Sequence, residues 1–78
     1  MINEILKLLS ERNFMLIDKV ENTYQHKWIN QTYVTLWKNG QGILYKKSFS
    51  LVNQDKYDEP FKTEIDLEKL LDKHGILK

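Results

Sequence analysis

The sequence predicts an α+β fold, a small two-layer sandwich in the order helix, three- to four-stranded antiparallel sheet, helix. Apolar residues recur at helical spacing near both ends of the chain and at strand spacing between them. An Asn39-Gly40 pair between two strand-like segments predicts a hairpin, because both turn residues tolerate positive φ. With 78 residues, 41% of them hydrophobic and none of them cysteine, we expect a single domain over residues 1–78, stabilised by burial and hydrogen bonds.

The first helix is predicted over residues 3–12. Its i, i+3, i+4, i+7 pattern places four apolar residues on one face, namely Ile2, Ile5, Leu6 and Leu9. Asn3 can cap the start of this helix. Asn13 can adopt the left-handed conformation that ends it, since its short amide bonds to nearby backbone.

The last helix has the strongest local signals in the chain. Thr63, followed three residues later by Asp66, predicts an N-cap. Gly75 supplies the left-handed residue after the final turn, and Ile76 is then placed to contact Leu71 in a Schellman motif. Leu67, Leu70 and Leu71 are predicted to form the buried face.

Strands are predicted over residues 14–20, 33–38 and 42–52. Residues 24–29 form either a separate strand or the first half of a long strand that continues to residue 38. The polar segment 53–60 is predicted to be a loop.

The hairpin sets which strand residues share a face. A two-residue Asn39-Gly40 loop places Lys38 opposite Gln41. That register predicts two faces. The core face has Trp28, Asn30, Thr32, Val34, Leu36, Ile43, Tyr45, Lys47, Phe49 and Leu51. The less apolar face, exposed or partly covered, has Ile29, Gln31, Tyr33, Thr35, Trp37, Leu44, Lys46, Ser48, Ser50 and Val52.

Residues 22–54 contain four lysines, no acidic residue and six of the aromatic residues. Lysines neutralise phosphate, and exposed aromatic rings stack on bases. We therefore expect a small non-enzymatic protein that binds single-stranded or structured nucleic acid through one sheet face. The predicted site residues are Lys27, Tyr33, Trp37, Lys38, Lys46 and Lys47. The alternative to nucleic-acid binding is an ordinary structural sheet whose lysines have no binding role.

The C-terminal third has the opposite charge, with seven acidic residues against three lysines over residues 55–72. Ala is absent, and one Arg stands against eleven Lys, a bias common in short reading frames of AT-rich phages and mobile elements. The second hypothesis is therefore an accessory protein that binds and inhibits or adapts a larger host protein. Its predicted contacts are Tyr57, Asp58, Glu59, Phe61, Glu64 and Glu68. A homodimer is compatible with both hypotheses.

The pattern contains no catalytic constellation. His26 and His74 are far apart in sequence and have no cysteine partner, so we expect no metal site and no cofactor. Gly40 and Gly42 are explained by the hairpin rather than by a phosphate loop. The longest apolar run, residues 14–17, is far shorter than the roughly 20 residues of a membrane-spanning helix, so we expect a cytoplasmic protein without a membrane partner.

Overall fold

The computed structural model describes residues 2–47 and 56–78. The helices are α1 (Ile2–Glu11) and α2 (Glu64–Lys73). The strands are β1 (Phe14–Asp18), β2 (Thr23–His26), β3 (Thr32–Leu36), β4 (Gly42–Lys46) and β5 (Tyr57–Phe61). The predicted α+β class and helix–sheet–helix order are confirmed.

The five strands form one antiparallel sheet in the order β1-β2-β3-β4-β5. The prediction of three to four strands was wrong for two reasons. Residues 23–26 are a separate strand, and β5 occupies part of the segment that was predicted to be a loop. Asp58, Glu59 and Pro60 look like turn residues, but an outermost strand tolerates proline because its N–H can face away from the ladder. The predicted strand residues 48–52 and loop residues 53–55 lie outside the described residues.

The β3–β4 hairpin differs from its predicted register by one residue. Leu36 pairs with Gly42 and Thr35 with Ile43, so the connection is longer than Asn39-Gly40 alone. It contains a single 3₁₀ turn at Lys38–Gly40, and the Trp37 N–H donates to the Gln41 carbonyl at 2.6 Å. Asn39 and Gly40 do have positive φ, at 71° and 74°.

This shift turns every β4 side chain to the opposite face. Leu44 lies in the core, whereas Ile43 and Tyr45, which were predicted to be core residues, lie on the other face. The prediction that Trp28 lies on the core face was also wrong, because Trp28 lies in the connection between β2 and β3 and is 71% exposed. Gly42 gives the physical reason for the observed register. A Cβ at Gly42 would lie 2.8 Å from Phe61 Cζ and closer still to the Thr35 carbonyl oxygen, so only glycine fits beneath the Phe61 ring.

One hydrophobic cluster joins both helices to one face of the sheet. We call this the covered face; its core residues are Phe14, Val34, Leu36, Leu44 and Phe61. From α1 the cluster contains Ile5, Leu8 and Leu9, so the helix is rotated relative to the predicted stripe, and Ile2 and Leu6 are exposed. From α2 and the residues after it come Leu67, Leu71 and Ile76.

The predicted α2 caps are confirmed. The Thr63 side chain accepts a hydrogen bond from the Asp66 N–H at 3.1 Å. At the other end, the Ile76 N–H donates to the Leu71 carbonyl at 2.8 Å, the long bond of a Schellman motif around Gly75.

The single arginine fastens this end of α2 to the end of α1. Arg12 is 6% exposed, and its Nη1 donates to Asp72 Oδ1 and to the Ile76 carbonyl, each at 2.8 Å. The positive φ of Asn13, 69°, then turns the chain from α1 into β1.

Candidate functional site

The sheet face opposite the helices is the candidate site, and we call it the open face. Register assigns to it Met15, Thr23, Gln25, Tyr33, Thr35, Ile43, Tyr45, Asp58 and Pro60. None of these residues belongs to the core cluster. Thr23 is buried, and the other side chains on this face are positioned by the sheet while part of their surface remains exposed.

Two tyrosines form the centre of the open face. Tyr33 and Tyr45 are directly opposite each other on β3 and β4, and their rings stack with centroids 5.3 Å apart and planes 20° from parallel. The Tyr33 hydroxyl donates to Gln31 Oε1 at 3.1 Å. Because each ring is held by its neighbour and by the backbone, this pair provides a preorganised aromatic surface.

Lys47 completes the aromatic pair. Its Nζ lies 5.3 Å from the centroid of the Tyr33 ring, within the range of a cation–π contact. The Lys47 N–H donates to the Gln31 carbonyl at 2.9 Å, which holds the backbone of this residue just beyond the end of β4. A positive charge therefore lies beside the two stacked rings.

A chain of hydroxyl groups runs beside the tyrosine pair. The Oγ1 atoms of Thr23 and Thr35 are 2.9 Å apart, and Thr35 Oγ1 is 3.3 Å from the Tyr45 hydroxyl. These groups border a shallow groove of about 420 Å³, which is lined by Ile17, Asp18, Glu21, Thr23, Tyr33, Thr35, Tyr45 and Lys47. The groove carries charges of both signs, so ring contacts and hydrogen bonds rather than net charge dominate its chemistry.

Trp37 extends this surface at the hairpin end of the sheet. It is 48% exposed, which agrees with the exposure expected from the sequence. Together with Lys38 it lines a second groove of about 570 Å³, whose wall also includes Ile2 and Val20. Glu21 and Thr35 line both grooves, so the tyrosine pair and Trp37 belong to one continuous surface.

The structure brings together four of the six residues predicted to bind nucleic acid. Tyr33 and Lys47 are in contact, and Trp37 and Lys38 line the adjoining groove. Lys46 pairs with Thr32 and Tyr57, which places it on the covered face. Lys27 is exposed just beyond the end of β2, where its N–H donates to the Asn13 carbonyl.

Sequence reasoning missed Tyr45, because the shifted register had assigned it to the core. Gly42 was the signal that could have found it. A glycine that faces a core aromatic residue fixes the register of β4, and Tyr45 then falls beside Tyr33.

The acidic residues of the second hypothesis do not form one surface. Phe61 is 2% exposed, so its ring is not available to a partner in this fold. The Tyr57 ring stacks on His74 with centroids 3.8 Å apart. Asp58 lies on the open face opposite Tyr45, while Glu64 begins α2, and Glu68 Oε2 lies 3.9 Å from Arg12 Nη2.

Glu59 is also occupied within the protein. Its carboxylate accepts a hydrogen bond from Lys73 Nζ at 2.7 Å and pairs with His74 Nε2. The hydrogen bond from Lys73, with that from His74, holds the pKa of Glu59 below its ordinary value. This carboxylate fastens β5 to α2.

His26 has a structural position at the end of β2. Its Nδ1 accepts the N–H groups of Trp28 and Ile29, at 3.1 and 2.9 Å. Burial lowers the pKa of His26, so the neutral ring is favoured. Within residues 2–47 and 56–78, no group of three or more His, Asp or Glu side chains is arranged to hold a metal ion.

Comparison with known proteins gives no relative: no family model, no curated protein and no solved structure matches the chain. Both helices have ten residues, and in the described part of the chain neither is long and apolar enough to cross a membrane.

Proposed function

We propose that this protein is a small two-layer binding module, not an enzyme, and that its open face binds single-stranded nucleic acid. The observation that carries the proposal is the stacked Tyr33–Tyr45 pair with the Lys47 ammonium beside it. Bases of a single strand have free faces that can stack on such rings, whereas the bases of duplex DNA do not.

Each part of the open face has a separate role in this proposal. Tyr33 and Tyr45 stack on bases, Lys47 contacts a phosphate, and Trp37 contacts a further nucleotide at the hairpin end. Thr35 presents a hydroxyl group that bonds to a base edge or to the sugar. Because Asp18 and Glu21 line the same surface, we expect modest affinity that depends more on stacking than on charge.

The acidic C-terminal third supports the second hypothesis, a host-protein inhibitor or adaptor, less well. Phe61 is buried, and Tyr57 and Glu59 are engaged by His74 and Lys73. Three of the six predicted contacts are therefore already used within the fold.

Neighbouring lysines provide the sharpest test. Lys46 and Lys47 have the same chemistry but lie on opposite sides of the sheet. We expect Lys47→Gln to weaken binding of labelled single-stranded DNA and RNA and to reduce the salt slope by about 0.7, the value for one phosphate contact. Lys46→Gln should bind as the wild type does. Equal effects of the two variants would contradict the proposed face.

Ring substitutions test the stacking role. Tyr33→Ala or Tyr45→Ala should each cost about 1 to 3 kcal/mol of binding free energy, measured by fluorescence anisotropy at about 50 mM salt. Trp28→Ala is the control, since Trp28 is exposed but lines neither groove of the open face. Circular dichroism verifies that each variant is folded. Wild-type protein that binds neither DNA nor RNA would overturn the proposal.

A further inference from the structure

The two edges of the sheet differ in how well they are protected. β5 carries Asp58, Glu59 and Pro60, and charges and proline are the usual means of blocking an outer strand. β1 begins with Phe-Met-Leu-Ile and has no charge before Asp18 and no proline. Met15, Leu16 and Ile17 are 50%, 43% and 48% exposed. β1 is therefore an apolar outer strand that nothing in the described chain blocks.

The backbone of β1 also has free hydrogen-bonding groups at this edge. The Asn13 carbonyl accepts from the Lys27 N–H at 2.8 Å, which fixes the phase of the β1–β2 ladder. Since hydrogen-bonding direction alternates along an antiparallel strand, Asn13 and Met15 face β2, whereas Phe14 and Leu16 direct N–H and C=O outward. Leu16 belongs to the covered face by register but remains exposed, so α1 does not cover this edge.

We propose that a second copy of this chain pairs with β1, antiparallel, about a two-fold axis that passes through Leu16. The axis is perpendicular to the sheet, so each side chain must face a partner side chain on the same side of the sheet. That condition is met when Leu16 lies opposite the partner's Leu16, and Met15 lies opposite the partner's Ile17. The backbones of the two Leu16 residues then exchange hydrogen bonds.

Charge favours this register over a neighbouring one. Centring the pair on Asp18 would place two aspartates against each other. Centring it on Leu16 limits the regular pairing to Met15, Leu16 and Ile17, because the register of β1 shifts between Leu16 and Asp18. Asp18 then lies beyond the paired residues, so no like charges meet. The product is a homodimer with one continuous sheet of ten strands, five from each copy. Its two open faces lie side by side, and its formation does not depend on what they bind.

Measuring the oligomeric state in solution tests the proposal directly. In sedimentation equilibrium, the wild-type chain should reach twice its 9.4 kDa mass as its concentration rises and return to the monomer on dilution. Leu16→Lys should raise the dimer dissociation constant about tenfold or more. Ile65→Lys, at a more exposed apolar position on α2, should leave it unchanged. A wild-type protein that remains monomeric at every concentration overturns the proposal.

Leu16→Pro tests the backbone bonds. It removes an N–H that faces the free edge and leaves the β1–β2 ladder bonds in place. We expect a folded monomer, as judged by circular dichroism and mass. A Leu16→Pro variant that still dimerises would show that the interface lies elsewhere.

The cysteine-free sequence permits a test of register that does not depend on a stability change. Opposite residues of a hydrogen-bonded pair are about 5.5 Å apart between Cα atoms, within disulfide range. Leu16→Cys should therefore crosslink two chains rapidly under mild oxidation. Met15→Cys and Ile17→Cys should crosslink slowly. Each of these residues lies diagonally across from the same residue of the second chain, at about 7 to 8 Å. Equal crosslinking at all three positions would overturn the Leu16-centred register.

Discussion

The two faces of the sheet are made by alternate residues of the same strands, and their chemistry is opposite. On β4, Leu44 is fully buried under the helices, while its neighbours Ile43 and Tyr45 belong to the open face. On β3, Val34 is a core residue, and Thr35 joins a hydroxyl chain. One step along a strand therefore separates a residue that stabilises the fold from one that is available to a ligand.

The largest expected effect comes from a matched pair on β4. Leu44→Ala should lower the free energy of unfolding by about 2 to 5 kcal/mol, because it leaves a cavity in the only core cluster of the described chain. Ile43→Ala removes an adjacent, half-buried side chain and should cost about 1 kcal/mol. Urea unfolding measures both. Similar losses would mean that the open face is covered after all.

Arg12 tests whether the covered side also depends on polar contacts. Arg12→Lys should cost about 1 to 3 kcal/mol, since a lysine cannot reproduce the guanidinium contacts with Asp72 and the Ile76 carbonyl. The control is Lys73→Gln, which breaks an ion pair at an exposed position and should cost less than about 1 kcal/mol. If urea unfolding shows the same loss for both variants, the buried contacts of Arg12 contribute no more to the free energy of unfolding than an exposed ion pair does.

The sequence could predict the local features of this fold and not its long-range pairing. Thr63, Gly75 and Asn13 act on neighbouring backbone, so their roles follow from residues nearby in sequence. The register of β4 depends instead on Gly42 lying beneath Phe61, a contact between residues that are far apart in the chain. No local pattern in the segment before Phe61 marked it as a strand.

The same limit decided how much of the site could be predicted. Tyr33 and Trp37 were placed on the exposed face correctly, because β3 alternates regularly. The one-residue shift exchanged the positions of Lys46 and Lys47 and hid Tyr45 in the predicted core. A correct prediction needed the identity of the strand on the far side of β4.

His26 should make the stability of the protein depend on pH. Its ring is buried beside Phe14 on the covered face, with centroids 5.1 Å apart. Burial lowers its pKa in the folded protein, whereas the unfolded chain takes up a proton near pH 6.5. Stability should therefore be complete above about pH 6.5 and fall below it, until the pH reaches the lowered folded pKa. Urea midpoints measured at about pH 7.5 and pH 5.5 show this loss.

Variants separate His26 from the other acid-sensitive groups. His26→Gln should remove the decline between about pH 6.5 and 5.5. Glu59 acts at lower pH. Its folded pKa lies below the ordinary 4.5, so its contribution is present above about pH 4.5 and is lost as the pH falls from there through the folded pKa. A decline that survives in His26→Gln would assign it to another group.

The smallest effect is expected from Thr35, which is compared with Thr32 on the opposite face of β3. Thr35→Val removes the contacts with Thr23 and Tyr45 at a partly exposed site, and should cost less than about 1 kcal/mol. Thr32→Val, on the covered face, removes a fully buried donor to the Asn30 carbonyl and should cost about 1 to 3 kcal/mol. The reverse order in thermal unfolding would contradict the assignment of the two faces.

The order of the strands also bears on how the chain acquires its structure. Within residues 2–47 and 56–78, every ladder joins strands that follow one another in sequence, so each strand needs only the one before it in order to pair. Arg12 bonds to Asp72, 60 residues away, and the core is not closed until Leu67, Leu71 and Ile76 arrive. During synthesis the sheet can therefore pair as it leaves the ribosome, but its covered face stays exposed to water until α2 has emerged. We therefore expect the emergence of α2, rather than strand pairing, to determine when the native protein forms.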